Sequence, residues 1–127
     1  MANEGTHVST IELDDGSGEV RISDEVIAII AGLAASEVEG VASMAGNVTR
    51  DLIERLGVKS LSRGVRILVS ENAVKAALNV NLKYGYNVPD TCAQIQDKVK
   101  TAIETMTGLH VTEVNIKIVN VVMDNDK

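Results

Sequence analysis

Hydrophobic and polar positions recur every second residue in some stretches of this chain and every third or fourth in others. The switches between these two periods mark its elements. In "GEVRI", residues 18–22, Val20 and Ile22 share one side, which predicts a short strand. Ser23 follows as a helix N-cap, and Asp24 and Glu25 put negative charge in the first turn, where the helix dipole favours it. The helix so started runs to about Val38, with Gly40 placed to end it.

Between Val26 and Ala35 that helix has no charge, hydroxyl or amide. Ala28, Ala31, Gly32 and Ala35 make a face of small side chains, Ile27, Ile30 and Ala34 make a second apolar face, and Val26, Ile29 and Leu33 lie between them. A helix apolar on most sides is buried on most sides. Leu33 is therefore expected in the interior, with Leu33→Asp strongly destabilising. Gly32 costs about 1 kcal/mol in a helix relative to alanine, and close approach of a neighbouring backbone would offset that. The neighbour is either the domain's own core or a second subunit.

Further along, "GVASMAG" (40–46) reads as a short strand or an irregular return, and "NVTRDLIERLG" as a short helix capped by Thr49 and stopped by Gly57. "GVRILVS" and "VKAALNVNLKYG" alternate across the turn "SENA", which predicts an antiparallel hairpin with Leu78, Val80, Leu82 and Tyr84 on one side and Asn79, Asn81 and Lys83 on the other. Pro89 suits the first turn of a further helix with Cys92, Ile95, Val99, Ala102, Ile103 and Met106 on one stripe, ended by Gly108. The last strand, "HVTEVNIKIVNVV", turns Val114, Ile116 and Ile118 inward and Asn115 and Lys117 outward. The fold class is α+β: one domain, β-α-β-α-β-β-α-β, with an antiparallel or mixed sheet and helices mainly on one face. Residues 1–17 read as a mobile acidic tail in which Val8 and Ile11 could add an edge strand, 18–122 as the domain, and 123–127 as a polar end.

Composition narrows the role. The chain has 127 residues, the size of one domain, and 45% are hydrophobic. Its core is aliphatic, since there is no Phe or Trp and only Tyr84 and Tyr86. A net charge of −6 and few aromatic stacking surfaces argue against a nucleic-acid partner. The first residues show no signal-peptide pattern and no apolar run is long enough to span a membrane, so the expected setting is cytoplasmic. A lone cysteine permits no intrachain disulfide.

Candidate chemistry is sparse. His7 and His110 have no partners at metal-ligand spacing, so neither metal nor cofactor is expected. Cys92 sits on an apolar stripe near a helix start and reads as a small packed hydrophobe; a nucleophile there would lack a nearby histidine in sequence. Charge distribution says more. Residues 1–39 carry nine acidic groups against one basic, net −8, while residues 50–83 carry seven basic against three acidic, net +4. Arg50, Arg55, Lys59, Arg63 and Arg66 form the candidate interaction patch, and Ala28, Ala31, Gly32 and Ala35 the candidate helix packing face.

"GEVRISDEVIAIIAGLAASEVEGVASMAG", with "SRGVRILV", "LNVNLKYG" and "TGLHVTEVNIKIVNV", resembles the bacterial alkaline-shock or envelope-stress-response family over residues 18–122. The shared features are Ile-Ser-Asp-Glu-Val-Ile, Val38-Glu39-Gly40-Val41, Gly64-Val65, Lys83-Tyr84-Gly85 and Thr107-Gly108-Leu109. They are caps, turns and core positions. The resemblance implies a non-enzymatic cytoplasmic protein, mostly of Gram-positive bacteria, in some members held near the membrane by a separate anchor protein. One branch, similar over residues 31–46, is encoded beside acetyl-CoA carboxylase. The expected role is thus a scaffold or interaction protein in envelope homeostasis, with self-association, an anchor protein or a carboxylase-related partner. The alternative is a regulatory module linked to fatty-acid synthesis; an enzyme built on Cys92 or a carboxylate pair is the remaining rival. The resemblance points to no known small-molecule ligand.

Overall fold

The computed structural model describes residues 8–12, 18–44 and 62–123. Its elements in chain order are β1 (Val8–Glu12), β2 (Glu19–Ser23), α1 (Asp24–Ser36), β3 (Val41–Met44), β4 (Val65–Ser70), β5 (Ala73–Lys83), α2 (Val88–Thr107) and β6 (His110–Val122). The helix expected within 47–57 lies outside the described residues.

β5 is the axis of a mixed sheet. β6 runs parallel to it along one edge, from Ala73↔His110 to Lys83↔Val122. Its other edge is shared end to end by two antiparallel strands: β4 pairs Val65↔Leu78 to Ser70↔Ala73, and β3 pairs Val41↔Leu82 to Met44↔Val80. The β4–β5 turn is tight because Glu71 and Asn72 both take positive φ (51° and 71°), the conformation whose twist matches a two-residue hairpin. β5 and β6 are parallel because α2 carries the chain back between them, and α2 packs against β6.

The strict alternation of β5 sorts its side chains as expected. Val74, Ala76, Leu78, Val80 and Leu82 are buried, and Lys75, Ala77 and Asn79 are exposed. On the buried side lie α1 and α2, which also pack against each other. α2 contributes Ile95, Val99 and Ile103, all fully buried. Met106, assigned by its spacing to the same stripe, is 68% exposed, and Tyr84 is 66% exposed because it lies just past the end of β5. Two threonines unseen by apolar patterning, Thr91 and Thr107, are buried instead. Each hydroxyl donates back to its own helix, Thr91 Oγ1 to the Asn87 carbonyl (2.7 Å) and Thr107 Oγ1 to the Ile103 carbonyl (2.6 Å), so burial leaves neither unsatisfied.

α1 starts as its sequence dictates, with Ser23 Oγ accepting from the Val26 N–H (3.2 Å). Ile27, Ala28, Ala31, Gly32, Ala34 and Ala35 are buried. The expectation for Leu33 fails: it is 43% exposed, beside Val26 at 46%. The sheet and α2 cover two sides of α1, and Leu33 is on the side that neither reaches. β1 and β2 form a separate two-stranded antiparallel ribbon ahead of α1, so Val8 and Ile11 lie in a strand.

The turns close against each other at one end of β5. Gly40 has φ +102°, its carbonyl accepts from Lys83 N–H (2.8 Å), and a Cβ added there would lie 2.8 Å from Tyr86 Cδ2. Val38-Glu39-Gly40-Val41 and Lys83-Tyr84-Gly85 are therefore two halves of one packed junction.

Candidate interaction surface

The face of the sheet opposite the helices is not covered by any described element. Arg66, Leu68 and Ser70 of β4 stand beside Ala77, Lys75 and Ala73 of β5, and β6 continues the rows with Glu113 beside Lys75, Asn115 beside Ala77 and Lys117 beside Asn79. Asn81 donates from Nδ2 to Ser43 Oγ of β3 (3.0 Å), tying the last strand into the same surface. Arg66, Lys75, Lys83 and Lys117 set a positive balance against Glu113 on a protein whose net charge is −6. A sheet face so polar needs no cover of its own. Solvated cations of this kind contribute to association chiefly through steering and alignment.

The predicted patch lies only partly in view. Arg63 and Arg66 flank the start of β4 and border a shallow depression with Gly64, Val65, Ala77 and Asn79. Arg50, Arg55 and Lys59 lie outside the described residues. Lys117 was missed as a member of this surface, since it is far from the others in sequence and reaches them only through the parallel β5–β6 register. The four small residues of α1 are all buried within the chain: Ala28 and Ala35 at 6% and 0% exposure, with Ala31 and Gly32 between them.

Reactive groups are held in structural tasks. Glu104 Oε2 accepts from the Val111 N–H (2.9 Å) and lies 3.5 Å from His110 Nδ1, so the carboxylate and imidazole fasten the α2–β6 turn. Within that turn Gly108 takes φ +77° and Thr107 Oγ1 accepts from Leu109 N–H (3.0 Å). Among the described residues no three His, Cys, Asp or Glu side chains gather where they could hold a metal ion. None of the described helices is long and apolar enough to cross a membrane.

Cys92 is half-buried in the first turns of α2, and burial pushes its thiol above the usual range. An activated nucleophile needs the opposite shift. Cys92 should therefore label slowly at neutral pH with a thiol-specific reagent, and Cys92→Ala should cost about 1 kcal/mol or less in a thermal melt. Rapid labelling of the folded protein would restore the nucleophile reading.

A family model described as the alkaline-shock protein 23 family, of cell envelope-related function, matches residues 12–123. The chain is 34% identical over 124 residues to the uncharacterized protein YqhY of Bacillus subtilis, covering 98% of this chain and 85% of that protein. It is 34% identical over 118 residues to YloU of the same organism, covering 91% and 98%. A stress response regulator gls24 homolog of Streptococcus pyogenes is 31% identical over 105 residues, covering 82% of this chain and 59% of that protein. Among solved structures, MamM CTD variants align over 76% of this chain and 96% of theirs at 13% identity with a TM-score of 0.47, too slight a likeness to argue from.

Proposed function

Since the chain belongs to the alkaline-shock protein 23 family of cell envelope-related proteins, we propose that it acts as a non-catalytic scaffold in the envelope stress response. It docks an acidic protein surface on its open sheet face. The observation that carries this reading is the uncovered β4–β5–β6 face itself: polar, flanked by Arg63, and cationic through Arg66, Lys75, Lys83 and Lys117 on a net acidic protein. Relatives named as stress response regulators are in keeping with it. So is the use of Glu104, His110 and Cys92 for packing and turn closure.

The test is a pull-down from the native cell at native expression, wild type beside Arg63→Glu/Arg66→Glu/Lys75→Glu. These side chains are solvated, so the triple variant should fold normally. The expected result is loss of the main protein partner, with association slowed more than dissociation is hastened. Binding should also weaken as salt rises, because exposed charges act over about 8–10 Å at physiological ionic strength. Identical partners captured by both proteins would refute the docking face. Carboxylase subunits as the captured partner would move the role to fatty-acid synthesis.

A further inference from the structure

β6 is an edge strand. It pairs with β5 along one side, and among the described residues no strand pairs with the other. A long bare edge is a template for another chain. Two register shifts break this one, opposite Val74/Lys75 and Val80/Asn81, and the regular stretch between them is Glu113 to Ile118. On this edge strand the exposed Gln96 amide of α2 donates to the Val114 carbonyl (3.0 Å), a solvent-facing bond that a pairing strand displaces, and an open groove follows, bordered by Ala93, Asp97, Lys100 and Thr112.

The same stretch is complementary to itself. Laid antiparallel about Asn115, "TEVNIKI" puts Glu113 opposite Lys117 of the partner subunit and Lys117 opposite the partner's Glu113. Val114 and Ile116 then face each other across the junction on the core side, and Asn115 meets its own copy on the two-fold axis. The charged pairs fall on the open face and the aliphatic pairs on the helix face, as the alternation of β6 requires. Glu113 and Lys117 are exposed; Glu113 accepts from Asn115 Nδ2, and Lys117 has no ion-pair partner among the described residues. Opposite charges directly across strands stabilise pairing and like charges oppose it.

We infer that β6 pairs with β6 of a second copy, joining two sheets into one across a two-fold axis through Asn115. The open faces of both copies then lie on the same side, which doubles the cationic surface. The inference does not depend on the acidic-partner reading, because Glu113 and Lys117 set the register of this pairing through contacts with a second copy, while Arg63 and Arg66 lie at β4, across β5 from that edge.

The test is charge exchange in the full chain, read by sedimentation equilibrium. Glu113→Lys gives a chain with two lysines on the edge, and Lys117→Glu gives one with two glutamates. Each alone should dimerise at least about tenfold more weakly than wild type, since both symmetric pairs become repulsive. The double variant should recover wild-type dimerisation, as should an equimolar mixture of the two single variants. Far-ultraviolet circular dichroism spectra matching wild type, with a cooperative melt, confirm that each variant folds. A wild type that stays monomeric at the highest soluble concentration overturns the inference. So do single variants that dimerise like wild type, or a mixture that fails to recover.

Discussion

Ala31→Asp should destabilise the fold severely while Leu33→Asp, two residues along the same helix, should leave it nearly intact. Ala31 is fully buried in the cluster formed by α1, the sheet and α2, and Leu33 is 43% exposed. A carboxylate at position 31 would lose its water without gaining a cation. An uncompensated buried charge costs about 3–5 kcal/mol, a large share of the roughly 5–15 kcal/mol that hold a domain folded. At position 33 the carboxylate stays hydrated and only part of a leucine's burial is lost, about 1 kcal/mol or less. Urea titrations of both variants beside wild type measure the difference. Equal midpoints would mean that α1 is turned differently from the arrangement described.

Gly40→Ala should cost more than alanine at any other positive-φ glycine among the described residues. Gly40 has φ +102°, which a side chain strongly disfavours, and its new Cβ would meet Tyr86 Cδ2 and Cγ at 2.8 and 2.9 Å. Those atoms belong to the root and flank of the ring, not to a free tip, so relief requires the whole ring to move. Behind it Thr91 Cγ2 stands 3.4 Å from the same point. Backbone strain of this kind costs about 1–3 kcal/mol, and overpacking adds about 1–3 kcal/mol. Gly85→Ala separates the two terms, because Gly85 has φ +100° but nothing within 4 Å of an added Cβ. The expected order of melting temperature is wild type, then Gly85→Ala, then Gly40→Ala. Tyr86→Ala should recover part of the Gly40→Ala loss. An absence of recovery would place the whole cost in the backbone.

Much of this fold is legible before any coordinates. The period-two run of β5 placed Leu78, Val80 and Leu82 inside because adjacent side chains of a strand must point to opposite faces. Ser23, Pro89 and Gly108 marked helix ends because the groups that terminate a helix are local. The positive φ of Glu71 and Asn72 sits where "SENA" announced a turn. The same local chemistry underlies the resemblance to the alkaline-shock family, since its shared residues are caps, turns and junctions.

What only the tertiary structure decided are the relations between elements. Leu33 and Met106 carry the right side chains at nearly the right angles, yet whether an apolar helix position is covered depends on which neighbours reach it, and these two stay 43% and 68% exposed. The open face was invisible for the same reason: Arg66, Lys75 and Lys117 come to share one face through an antiparallel register on one side of β5 and a parallel one on the other. The self-complementary order of Glu113, Asn115 and Lys117 is present in the letters. Only the position of β6 at the edge of the sheet gives it a surface on which to act. Period, caps and turns are set within a few residues of chain, whereas coverage, register and edges are set by packing between segments far apart in it.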